Sequence, residues 1–272
     1  MSKTGIATYS IGMEELAMAF NLINRADLAR ELLTSIYDNL SDAVVEARLT
    51  TASHSLLARG LTGIKTGGAP NLDADFEQAL FPMAQFDYAL FLSVVRSDRA
   101  QTASIHVRKG KTFTSHTVQL GVIHLLEHGK TAGLADFICD VFEDFGSAKE
   151  PTENLACKVS WKALAQAQQP DVKLEKVIEL LTAAGVAPAT AKILAEDLTK
   201  QEYRVILLRS MINSEMPVDD MKKAEKHSLM LLKSKDRCWL FGFASAEDDS
   251  EGEGGLISRD GFKKKLNGFI IN

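Results

Sequence analysis

His124 and His128 stand four residues apart in Val122–His128, a segment whose apolar spacing predicts a helix ending at Gly129. On a helix that separation puts two imidazoles on one face, as in helical zinc sites, and Glu127 lies beside them. The order is not HExxH, and a third ligand would have to come from His106 or His116 on the preceding hairpin. The histidines are therefore read as helix-surface residues, and no metal ligand is assigned. Two Gly-Lys-Thr triplets, Gly110–Thr112 and Gly129–Thr131, share the end of a phosphate-cradling P-loop, but the glycine needed five positions earlier is replaced by Ile105 and His124. The first triplet fits a hairpin turn and the second a helix terminus. Lys65-Thr66-Gly67 matches one short motif of penicillin-binding enzymes, yet no SxxK nucleophile accompanies it. There is no GxSxG elbow and no GxGxxG after a strand, and the carboxylates show no spacing that marks an acid–base pair. No catalytic residue, cofactor-binding residue or cofactor is assigned.

The chain that must carry any function has 272 residues, enough for one large domain or two ordinary ones. With 46% hydrophobic and 25% charged residues it sits near the globular average. A net charge of -5 offers phosphate backbones and anionic lipid no general attraction, which argues against a nucleic-acid partner. Cys139, Cys157 and Cys238 are odd in number and widely spaced, so they suggest neither a disulfide framework nor a zinc knuckle. Met1–Ser10 lacks the basic and apolar regions of a signal peptide, and no apolar run reaches the roughly 18 residues of a membrane span. The expected location is the cytoplasm.

From Ile11 to Leu61 the apolar residues recur at helical spacing and predict three helices, with Asn24 and Ser41 as N-caps and Gly60 as a stop. Thr62–Asn71, rich in glycine, reads as a loop. A helix over Leu72–Met83 and a buried strand over Phe86–Val95 follow. Ile105–Arg108 and Phe113–Leu120 flank Lys109-Gly110-Lys111 as a hairpin, because Gly110 can supply the positive φ of a tight turn. Another helix is expected over Leu134–Phe145 and a linker over Gly146–Thr152. Beyond it, helices are expected over Leu155–Ala167, Leu174–Ala184 and Ala187–Asp197, and strands over Tyr203–Met211, Ser228–Leu232 and Cys238–Ala244. Glu247–Glu253 reads as a solvated acidic loop and Gly261–Ile270 as a last helix or strand.

Phe76–Arg96, a helix running into a strand, has the same outline as Ala191–Met211. The expectation is an α+β fold of two pseudo-symmetric halves, 1–145 and 146–272, with an antiparallel sheet, flanking helices and a helical N-terminal section. The segments "SLLARGL" at Ser55–Leu61, "FEQALFPMAQFDYALFLSV" and "RCWLFGFASAEDDSEGEGGLISRDGFKKKL", joined by a hairpin, resemble the EspG family of type VII (ESX) secretion chaperones. That resemblance implies two α/β halves with a shared sheet, and a cytosolic chaperone without catalytic residues that keeps a helical secretion substrate soluble. No family contact motif transfers residue by residue. The exposed turn Lys109, Gly110, Lys111 and the loop residue Lys65 are the first candidates for partner binding, since binding residues concentrate on loops held by rigid elements. Two other readings stay open. An enzyme could assemble its site from distant residues, and three helices with a later hairpin could form a winged-helix-like DNA-binding regulator, although the opening helices lack its basic face.

Overall fold

Strand β1 (Ala7–Gly12) alternates its side chains between two faces and passes without a loop into helix α1 (Met13–Leu22). The structure, a computed structural model, describes residues 5–35, 37, 41–96, 99–141, 155–169, 171–216, 220, 224–235, 237–245 and 250–271. The chain is α+β and divides into two units: Met1–Tyr88 with Ala103–Gly133 and Asn213–Glu215, and Ala89–Thr102 with Leu134–Ile212 and Met216–Asn272.

In the first unit α1 is followed by α2 (Ala26–Thr34), α3 (Asp42–Ala58), a small hairpin of β2 (Thr62–Ile64) and β3 (Pro70–Leu72), and α4 (Ala74–Ala84). Ser41 is the N-cap of α3, whereas Asn24 sits in a left-handed turn one residue before Arg25, the cap of α2. Asp73 caps α4 by accepting the N–H groups of Asp75 and Phe76 at 3.1 Å. Strands β5 (Ala100–Arg108, from Ala103 onward), β6 (Thr112–Gln119) and β7 (Ile123–Lys130) complete the unit, in the order β1-β7-β6-β5 and antiparallel throughout. The core joins Ile11 and Leu126 of the strands to Leu16, Phe20, Leu56 and Phe76 of the helices.

The second unit contains β4 from Ala89 onward (the strand spans Tyr88–Arg96), α5 (Leu134–Val141), and β8 (Ala156–Ser160), which again runs straight into a helix, α6 (Trp161–Ala167). Helices α7 (Leu174–Ala183) and α8 (Pro188–Thr199) lead into β9 (Gln201–Ser210), β10 (Lys226–Ser234), β11 (Cys238–Phe243), β12 (Glu251–Leu256) and α9 (Arg259–Ile271). Its strand order is β4-β9-β10-β11-β12-β8, also antiparallel. The plan repeats: a strand feeding directly into helices (β1, β8) pairs with the last strand of a hairpin series (β7, β12).

Five segments differ from the sequence expectation. Val122–His128 is not a helix: Val122 belongs to a turn, and Ile123–His128 lies within strand β7, paired on both sides, with β6 and β1. Its buried face carries His124 and His128 along with Leu126, while Ile123 and Leu125 stand on the other face, so its apolar residues lack the alternation that marks a half-buried strand. Ala7–Gly12 and Ala156–Ser160 are short strands that the following helical patterns concealed. Thr62–Asn71 holds the β2–β3 hairpin. Part of the acidic stretch is β12, where Gly252 and Gly254 leave room for the rings of Phe243 and Phe241 to lie against the strand; a Cβ at either glycine would collide with them. The Gly146–Thr152 linker lies outside the described residues.

Candidate protein-docking surface

The first unit presents three hairpin turns. At the β5–β6 turn Lys109 and Gly110 both have positive φ, 52° and 57°, and Lys111 N–H donates to Arg108 O at 3.0 Å. This left-handed pair matches the strand twist, as the Gly110 reading required. Lys109, Lys111 and Lys130, the last held opposite Thr112 across the ladder, are exposed, and none has an ion-pair partner among the described residues. Arg108 donates to Gln85 Oε1 at 2.9 Å and lies 4.8 Å over the Phe81 ring. A depression of about 410 Å³ beside the turn is lined by Gln85, Asp87, Arg108, Lys109, Ser214 and Glu215.

Lys65 lies on a different hairpin, β2–β3, where its N–H donates to Ala69 O at 2.8 Å and its carbonyl accepts from Gly68 N–H at 2.9 Å. Beside it is a depression of about 470 Å³ whose polar lining includes Asn71, Asp73 and Glu77. Ile64, the residue before Lys65, is 67% exposed. Of the four candidate residues, Lys109 lines one depression and Lys65 the other.

The third turn joins β6 to β7, at the end of β6 opposite the lysines. Leu120 and Gly121 have φ of 52° and 74°, and Val122 N–H donates to Gln119 O at 3.2 Å. Leu120 is 90% exposed, with Val122 at 55% and Val118 at 49%. A leucine in the left-handed region with its side chain in water is unfavourable on both counts, and a cluster of exposed aliphatics marks an interaction site more often than a lone exposed leucine does. The helix expectation over Val122–His128 hid this turn. The signal that could have revealed it is Leu120-Gly121 between two β-rich runs.

Gly129-Lys130-Thr131 ends β7 and enters a short 3₁₀ turn that leads into α5, but His124 stands where a phosphate loop needs its first glycine, and Gly110-Lys111-Thr112 is a hairpin turn. Burial pushes the thiols of Cys139 and Cys157 up to about 11 and that of Cys238 up to about 12, which keeps all three protonated at neutral pH. Among the described residues no group of three His, Cys, Asp or Glu side chains could hold a metal ion, and no helix is long and apolar enough to cross a membrane.

No family model and no curated protein matches the sequence. The architecture does have a counterpart among solved structures. The Mycobacterium tuberculosis type VII secretion system chaperone EspG5, solved in complex with the PE25–PPE41 dimer, superimposes with a TM-score of 0.62. The fold is that of EspG5. The likeness covers 95% of this chain and 94% of the EspG5 chain at 12% sequence identity. The family resemblance read from the sequence thus finds its fold here, and EspG5 itself was captured holding a protein dimer.

Proposed function

We propose that the chain is a non-enzymatic, cytoplasmic chaperone or adaptor that binds a protein partner and keeps it in solution, the partner being a helical substrate of a type VII secretion system. The observation that carries this reading is the fold likeness to a secretion chaperone over nearly the whole chain. Exposed turns on rigid hairpins support it, since such loops present binding residues at low ordering cost. The proposed contacts are Lys109, Gly110 and Lys111 at one end of β6 and Lys65 on the β2–β3 hairpin. The proposed repeat units are residues 1–145 and 146–272, each opening with a strand that feeds a helix.

The test is affinity capture of the tagged chain from its native cytoplasm, identification of the co-purifying protein, and reconstitution of the purified pair. The expected result is a stoichiometric complex whose affinity falls at least tenfold in a Lys109→Glu, Lys111→Glu double variant. A chain that purifies alone, or a complex indifferent to those charges, would contradict the proposed partner and the proposed contacts respectively.

A further inference from the structure

Residues opposed in an antiparallel ladder point to the same face of the sheet. The register sets His106 opposite Thr114, His116 opposite Leu126, His124 opposite Val118 and Ile11, and His128 opposite Thr114 and Ala7. Four of the six histidines in the chain therefore share the face that carries Ile11 and Leu126, both members of the core beneath the helices. We propose that His106, His116, His124 and His128 form an acid-opened latch that holds strands β5–β7 to the helical layer of the first unit at neutral pH and releases it on mild acidification.

The bond between His116 and His124 requires that at most one of the two rings be protonated. His116 Nε2 and His124 Nδ1 are 2.7 Å apart, with the rings stacked at 5.0 Å and 7°. One nitrogen must donate and the other accept. If both rings are protonated, two N–H groups face each other and the bond is lost. Thr114 Oγ1 donates to Ala79 O of α4 at 2.7 Å, so its lone pair accepts from His128 Nδ1–H at 3.1 Å. That relay ties β7 to β6 and β6 to the helix. Nδ1 of His106 and Nε2 of His124 are closed to solvent and have no hydrogen-bond partner among the described residues. The His106 ring packs on Phe86 at 4.9 Å. Protonation at either nitrogen would place a charged N–H where no acceptor stands.

Burial lowers the pKa of His106 to about 4; burial first, then His124 and His106, lowers that of His116 to about 4. Burial also moves His124 down, and moves His128 down against the opposing pull of a hydrogen bond to the Phe113 backbone. The surrounding elements carry Tyr9 on β1, Glu14 and Glu15 on α1, Asp75 and Glu77 on α4, Asp87 beside β5, Arg108 on β5, and Glu127 and Lys130 on β7. None of them is among the causes of the four shifts. No neighbouring carboxylate therefore compensates a protonated ring.

A histidine whose folded pKa lies below its unfolded value contributes full stability above about pH 6.5 and loses it as pH falls toward the folded pKa. At pH 5, a histidine moved from about 6.5 to about 4 shifts the folding equilibrium roughly thirtyfold toward the open form. The experiment is a ring titration of the full chain by histidine-selective NMR, paired with amide exchange at pH 7.5 and 5.0 corrected for intrinsic rates. The expected result is that His106 and His116 titrate below pH 5 and that β6 and β7 lose protection at pH 5 while β10 and β11 keep theirs. A His116→Gln, His124→Asn variant, if it folds, should show a smaller acid loss; the wild-type titration decides the question if it does not. Ring pKa values near 6.5, or equal acid loss in the two units, would overturn the latch.

Discussion

The two units run on one plan with opposite interiors. On the face of β5–β7 that meets the first unit's helices stand four histidines and Thr114. The corresponding strands of the second unit, β10–β12, turn Met230, Leu232, Trp239, Phe241 and Phe243 toward α6–α8. Trp239 and Phe241 are stacked with centroids 6.2 Å apart, much as His116 and His124 are stacked. Ring stacking on a twisted ladder is thus satisfied by indole and phenyl in one unit and by imidazole in the other. The first is held by burial and one indole hydrogen bond, to Asp197, while the second depends on a proton count. A shared topology fixes where rings stand, and residue type fixes what can disturb them.

The largest expected effect lies in the aromatic interior. Phe241→Ala removes a ring with no exposure and should destabilise the second unit by about 4 kcal/mol, read from urea unfolding of the intrinsic Trp fluorescence. Both tryptophans, Trp161 and Trp239, report on that unit. Next is the polar clamp at the end of α8. Asp197 accepts from Trp239 Nε1 at 2.8 Å, Ser234 Oγ at 2.9 Å and Arg237 Nε at 2.7 Å. Asp197→Ala leaves buried donors without an acceptor and should cost about 3 kcal/mol by the same measurement. Acid comes third and separates the units: from pH 7.5 to 5, protonation of His106 and His116 should cost the first unit about 2 kcal/mol each, with little change in the second.

Smaller still is Thr114→Val, which breaks the relay from His128 to Ala79 and should cost about 1.5 kcal/mol in the first unit, followed by amide exchange of β6. The smallest effect is at the cationic turn. Lys109→Glu with Lys111→Glu should change thermal stability by less than about 0.5 kcal/mol, because both side chains are exposed and without an ion pair among the described residues. A large stability change there would mean that the lysines support the fold and are not free to bind.

Local chemistry was legible from the sequence where it decides local structure. Lys109-Gly110 specified a tight hairpin, Pro188 opened α8, and the run from α4 into β4 read correctly as helix then strand. The expectation failed where neighbours decide. Val122–His128 carries the residues of a helix face, and only pairing with β1 and β6 makes it a strand. The glycines of β12 look like loop residues until the rings of Phe241 and Phe243 occupy the space above them. The histidine face is a product of register: His106, His116 and His124 lie on three strands, and no spacing along one chain segment aligns them. The fold class and the family likeness were legible because they rest on the order of elements, which survives at 12% identity. The exposed aliphatic turn was not, since Leu120 looks like any leucine until its surroundings are known.

The chaperone account is tested most directly by the solubility of the captured partner, expressed with and without this chain. The account predicts that the partner alone is found mostly in the insoluble fraction and that co-expression moves it into solution as a stoichiometric complex. A partner equally soluble in both cases would contradict a chaperone role.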